Sequence, residues 1–214
     1  MPLFRFDNSV VLFIHVPKTG GSSIEQAMRR MGGREALLAS KGLDYSRCTP
    51  QHMPADILSL FVPKNFYDMS FAVVRDPCSR LISEFKMRRE GRKRRNLPLL
   101  SFAEWVDMAF ARYQKNPYVF DNHIRPQTYL IPEDVLVFRQ EGGLEQAVAA
   151  VADHVGCPMP KLPRLRQGDP APVSVTAETA MRIREFYYAD YARFGYKPAE
   201  PTPKVDQDAP PSPA

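Results

Sequence analysis

The chain has 214 residues, 44% hydrophobic and 25% charged, with a formal net charge of +5. That length suits one domain whose core needs no disulfide or metal staple, and the composition excludes a fibrous or wholly disordered protein. No apolar run approaches the roughly 20 residues of a membrane span, and three cysteines without metal-ligand spacing suit a reducing compartment, so a cytoplasmic location is expected.

The first predicted element is the run 10–16, Val-Val-Leu-Phe-Ile-His-Val, apolar and β-branched like a strand covered on both faces. It is short and has no small-residue cleavage site, so it does not read as a signal peptide. Pro-Lys-Thr-Gly-Gly-Ser-Ser follows at 17–23. A helix comes next, with its apolar face at Ile24, Ala27, Met28 and Met31, closed by Gly32 and Gly33. This order, strand then loop then helix, opens a βαβ unit. A short helix is expected over 55–61 and a second strand over 70–74. Asp76 and Pro77 then fit the cap and first position of a helix that buries Leu81, Ile82 and Phe85.

Between 86 and 95, at the far end of that helix, stand seven basic residues and one acid, Glu90. The rest of the chain is nearly neutral, so the basicity is a local patch suited to phosphate, sulfate or carboxylate groups. Ser101 and Glu104 form a capping box for a helix to about 113. A third strand is expected over 135–138, a helix over 144–155 ended by Gly156, and a last helix over 177–193 closed by Gly195. Residues 1–196 are expected to form one domain, and 197–214, with six prolines, a disordered tail.

Strands alternating with helices imply an α/β fold of three layers, a central parallel sheet flanked by helices. Ligands of such sheets bind beyond the carboxyl ends of the strands. The loops after Val16 and Val74 both fall at that edge.

The first of these loops carries the strongest motif. Gly20 and Gly21 let the backbone turn with its amides exposed, and the helix beginning near Ser22 adds free N–H groups and a positive dipole end. Thr19, Ser22 and Ser23 bring hydroxyls, and Lys18 a mobile charge. The loop is P-loop-like but is not a Walker A sequence, because Lys18 precedes both glycines. That placement, and the lack of an evident magnesium-binding acid after a strand, argue against a small-molecule kinase. In the second loop, Val-Arg-Asp-Pro-Cys-Ser-Arg-Leu-Ile-Ser, Arg75 stands at the strand end where it can hold a phosphate bidentately. Ser83 on the next helix can donate to the same group, while Arg80 is placed to pair with Glu84 at i,i+4.

Together these motifs resemble the sulfotransferase family that includes heparan sulfate 2-O-sulfotransferase and small bacterial members. His123-Ile-Arg-Pro-Gln127 and the segment 188–196 are similar to that family as well. The resemblance implies a sulfuryl transfer from 3′-phosphoadenosine 5′-phosphosulfate (PAPS) to an acceptor hydroxyl of a carbohydrate or small metabolite, with no metal. It implies that Lys18 bridges the phosphosulfate and that residues 19–23 (Thr19, Gly20, Gly21, Ser22, Ser23) bind the 5′-phosphate. Arg75 and Ser83 would bind the 3′-phosphate.

Transfer also needs a group to take the acceptor's proton, and histidine suits that near neutral pH. His15 lies in the first strand and reads as a core or supporting residue, and His154 as a surface cap. His52 precedes Arg75 by 23 residues, a placement similar to the catalytic histidine of the heparan enzymes, although the sequence there is Gln51-His52-Met53 rather than a histidine pair. His52 is the expected base and His123 the second candidate. The basic run 86–95 has two readings, a solvated helix end or a surface for an acidic acceptor beside the donor site. A non-catalytic anion- or nucleic-acid-binding protein is the remaining reading. The run has no interleaved aromatics for base stacking, and that reading leaves the glycine loop unexplained, so no nucleic-acid partner is expected. Arg125, Arg164 and Arg166 are placed to close over the nucleotide.

Overall fold

The computed structural model describes residues 1–38, 46–162 and 171–198. Arg164, Arg166 and the expected tail from 199 onward lie outside the described residues. Five strands and seven α-helices follow in the order β1 (Leu3–Arg5), β2 (Val10–Ile14), α1 (Gly21–Arg30), β3 (Arg34–Ala36), α2 (Ala55–Phe61), β4 (Met69–Val74), α3 (Pro77–Arg94), α4 (Phe102–Lys115), β5 (Leu136–Arg139), α5 (Glu145–Val155), α6 (Ala177–Phe186) and α7 (Tyr188–Phe194).

The sheet order is β3-β1-β2-β4-β5. β2, β4 and β5 run parallel, with Ile14 opposite Ala72 and Val74 opposite Arg139. β1 and β3 are antiparallel to their neighbours, so the sheet is mixed and parallel only in its β2-β4-β5 half. Both antiparallel strands have three residues, too few to show a period of two. A turn closed by the Phe6 N–H on the Ser9 carbonyl (2.8 Å) makes β1 and β2 a hairpin.

Alternation along the strands builds two cores. Val11, Phe13, Phe71 and Val73 face Ile24, Ala27 and Met28 of α1 and Ala147, Val148 and Val151 of α5. Leu12, Ile14, Ala72 and Val74 face Leu58, Val62, Leu130, Ile131 and Phe194 on the other side. These are the three layers that the strand and helix order implies. A third cluster, around Leu81, Phe85, Trp105, Ile183 and Tyr187, joins α3, α4 and α6. The last helix is two helices. They break at Tyr187, which is fully buried and donates its phenol hydroxyl to the Ile124 carbonyl at 2.7 Å. No helix among the described residues is long and apolar enough to cross a membrane.

Candidate functional site

The parallel pairing of β2 and β4 brings the two motif loops to one edge of the sheet. In the first loop, Lys18 and Gly20 adopt left-handed backbone, with φ of 72° and 92°. A side chain on Gly20 would be strained, and the non-glycine Lys18 holds this conformation at a local cost. The Thr19 hydroxyl donates to the Val16 carbonyl at 2.9 Å and the residue is fully buried, so that hydroxyl shapes the loop from within. α1 begins at Gly21, where the first turn leaves N–H groups without an intrahelical acceptor. A side chain at Gly21 would put its Cβ 2.3 Å from Nε2 of His15, so the loop closes directly over that imidazole. Ser22 is half-buried at the mouth of the helix, and Ser23 is buried with its N–H turned to the Gly20 carbonyl at 3.0 Å.

The second loop meets the first. The Arg75 guanidinium donates to the Lys18 carbonyl at 3.3 Å, and the Lys18 ammonium contacts Sδ of Met87 at 3.4 Å on α3. Ser83 is half-buried one turn before Met87 on that helix. Gln127 holds the Arg75 backbone from both sides, accepting from its N–H (3.0 Å) and donating to its carbonyl (2.9 Å). The buried Asp190 carboxylate accepts the Gln127 N–H at 2.8 Å. The 123–127 and 188–196 segments are thus two halves of one clamp on the Arg75 turn. Arg80 does not pair with Glu84. It is 1% exposed and donates to the carbonyls of His123 (2.9 Å) and Arg125 (2.6 Å), because Glu84 is already held by Arg88 and His123.

Behind these loops three histidines stand in a row. His15 meets His52 edge to face at 5.1 Å between ring centroids, and His52 meets His123 in the same way at 4.9 Å. Each imidazole gives its Nδ1 to a carboxylate: His15 to Glu25 (2.5 Å), His52 to Asp121 (2.7 Å) and His123 to Glu84 (2.7 Å). Thr49 donates both its N–H (2.7 Å) and its hydroxyl (2.8 Å) to Asp121, and Asn122 donates to the His52 carbonyl at 2.8 Å. Burial lowers the pKa of His52, and the hydrogen bond to Asp121 offsets this only in part. For Asp121 burial acts upward, but the hydrogen bonds from His52 and Thr49 outweigh it and the carboxyl titrates well below its usual range. The dyad therefore rests as neutral imidazole and carboxylate, with the Nε2 lone pair of His52 left to accept a proton. His123 is likewise pushed down by burial, while Glu84, raised by burial but pulled down more strongly by His123 and Arg88, sits at about 2.

His52, Asp121 and His123 gather one ligand-type atom each within 4.8 Å, a set that a divalent ion could use. His52 Nδ1 and Asp121 Oδ2 are 2.7 Å apart and already hydrogen-bonded, so an ion there would use the other ring nitrogen of His52. A shared proton fits that gap. Arg125 lies between the rings of Tyr118 (5.2 Å) and Tyr129 (5.4 Å), with Nε and one terminal nitrogen buried and unpartnered. His154 is exposed and bonded to the Ser9 hydroxyl at 2.9 Å.

The sulfotransferase family model matches residues 1–147, a span that contains both loops, His52 and its carboxylate partner. The chain belongs to the sulfotransferase family. No curated protein and no solved structure matches it. In this sulfotransferase the carboxylate partners Asp121 and Glu84, together with Gln51 and Gln127, were not legible in the sequence. The only signals were the position of Gln51 beside His52 and of Gln127 at the end of a segment already singled out.

Proposed function

We propose that the chain transfers a sulfuryl group from PAPS to an acceptor hydroxyl, in the cleft between the loop 17–23 and the turn at Arg75. The observation that supports this reading is the contact between the Arg75 guanidinium and the Lys18 carbonyl at 3.3 Å, which holds the two motif loops against each other at one edge of the sheet. A nucleotide phosphorylated at both ends needs such a pair. The first turn of α1, with Thr19, Gly20, Gly21, Ser22 and Ser23, would hold the 5′-phosphate through backbone N–H groups and the Ser22 hydroxyl. Arg75 and Ser83 would hold the 3′-phosphate, and the pKa of Arg75, lowered by burial, marks a guanidinium that gains from an anion beside it.

Attack of the acceptor oxygen on sulfur forms one S–O bond and breaks the one to the 5′-phosphate. The proton of the hydroxyl passes to Nε2 of His52, while Lys18 steadies the charge that develops on the departing phosphate. Asp121 keeps the imidazole in the tautomer that can accept. The step calls on no metal. Met87, which the Lys18 ammonium contacts, falls within the basic run 86–95, which favours an acceptor bearing acidic groups. All three cysteines are free thiols, in keeping with a cytoplasmic setting.

Calorimetric titration tests the reading. 3′-Phosphoadenosine 5′-phosphate (PAP) should bind at least tenfold more tightly than adenosine 5′-phosphate, and Lys18→Ala should keep the fold while abolishing transfer in a screen with radiolabelled donor. Equal affinity for the two nucleotides would remove the 3′-phosphate site. Full activity in the variant would remove Lys18 from the mechanism.

A further inference from the structure

His15, Glu25 and Gln51 are buried, with exposures of 6%, 5% and 9%, and none of them has a part in the transfer step described above. They are joined to one another. His15 Nδ1 donates to Glu25 Oε1 at 2.5 Å, and the Gln51 amide donates to the same oxygen at 2.7 Å. Burial raises the Glu25 pKa, but the hydrogen bonds from His15 and Gln51 outweigh it, so the group is an ionised carboxylate between two donors. A buried charge is costly, and apolar residues of similar volume would hold this part of the core at least as well. What the charged group provides is direction, since it holds two donors at fixed distance and angle.

The two ends of the connection are the two halves of the reaction. At one end the His15 ring lies under the donor loop, so close that only glycine fits at position 21. Glu25 is on α1, one turn after the residues that would hold the 5′-phosphate. At the other end Gln51 is joined by one peptide bond to His52, in a short 3-10 turn (Pro50–His52) where the His52 N–H returns to the Thr49 carbonyl at 3.0 Å. The His15 and His52 rings also touch edge to face.

Resting on the functional reading above, we infer that His15, Glu25 and Gln51 form a buried strut that sets the distance between the donor loop and the base His52. Gln51 is the positioning residue of the strut. It touches neither donor nor acceptor and acts through His52. An in-line transfer tolerates little error between sulfur and base, and a misplacement of about 1 Å costs on the order of a hundredfold in rate.

Gln51→Met tests this, because methionine keeps the length and apolar volume of the side chain and deletes the amide that donates to Glu25. Three measurements on the full chain separate positioning from general support: thermal unfolding, PAP affinity by calorimetry, and donor turnover followed as sulfate release from PAPS in water, which needs no acceptor. The expected result is a melting temperature lowered by a few degrees, because the buried Glu25 carboxylate loses one of its two donors, with PAP affinity within about threefold and turnover roughly ten- to a hundredfold lower. With histidine labelled at the ring carbons, saturating PAP should shift the His52 signals in the wild type and shift them far less in the variant. Unchanged turnover, or the same PAP-induced shift at His52 in both proteins, would overturn the strut while leaving the donor site intact. A loss of PAP affinity as large as the loss of turnover would also overturn it, since Gln51 would then support the loop alone. Failure of the wild type to bind PAP would overturn the donor reading and, with it, this inference.

Discussion

At the scale of single residues, the site depends on which groups carry charge at rest. Burial holds the His52 pKa below its ordinary value of 6.5, and Asp121 opposes that shift. A base must be neutral to act, so activity should be flat through pH 7 and fall on the acid side, with a midpoint below 6.5. Asp121→Asn removes the partner that raises His52, so its acid limb should move to still lower pH while the plateau rate drops. A pH–rate profile of both proteins checks the sign, and an acid limb that moves upward in the variant would contradict the dyad. Thr19 shows how a residue type can mislead. Its hydroxyl looks like a ligand in the sequence and is spent on the Val16 carbonyl in the fold.

At the scale of elements, the segment carrying Asp121 is held against its own preference. Phe120, Asp121 and Asn122 all have left-handed backbone, with φ of 56°, 58° and 63°. For Phe120 this costs roughly 1–2 kcal/mol, and for Asp121 and Asn122, which tolerate it better, less, so the surroundings must impose the turn. Asp121 is tied to Thr49 and His52, and Phe120 is stacked on Trp105 at 6.3 Å with the Arg88 guanidinium 4.5 Å from its ring. Trp105 is 2% exposed in the cluster of α3, α4 and α6. Trp105→Ala should cost about 3–5 kcal/mol of stability, measured by denaturant unfolding, and should lower transfer more than PAP binding because it frees the Asp121 turn. A variant within about 1 kcal/mol of the wild type would refute this packing account. The helices at 55–61, from Pro77, from Ser101 and over 144–155 were legible because caps and apolar spacing are local. The strands β1 and β3 were not, and neither was the break at Tyr187, which rests on a hydrogen bond to Ile124 63 positions away.

For the whole molecule, the central charge cluster links stability to acid. Glu84 is fully buried, and its pKa lies at about 2 against an ordinary 4.5. A carboxyl lowered in the folded state adds stability above its unfolded value and loses it as pH falls from about 4.5 towards 2. Glu84→Gln should therefore be less stable than the wild type at pH 7 by a few kcal/mol, with the gap narrowing at pH 3 in denaturant titrations. A gap as wide at pH 3 as at pH 7 would mean that the ion pair with Arg88 and the hydrogen bond from His123 contribute nothing of this kind. Glu84 lies on α3 and holds His123, whose ring packs edge to face on the candidate base His52 at 4.9 Å, so the contacts that support the fold also border the base.

The sequence alone determined the α/β class, the loop 17–23 between a strand and a helix, and the arginine at the end of the second central strand. Glycine spacing, apolar period and helix caps are short-range signals that act within a few residues of themselves. It also led to the sulfotransferase family through those two motifs. Only the tertiary structure decided which side chains stand around His52, that Arg80 braces a backbone segment instead of pairing along its helix, and that half of the sheet is antiparallel. Those outcomes depend on contacts between residues tens of positions apart, such as Asp121 with Thr49 and Gln127 with Asp190, and a one-dimensional pattern holds no record of which distant carboxylate a buried histidine will meet.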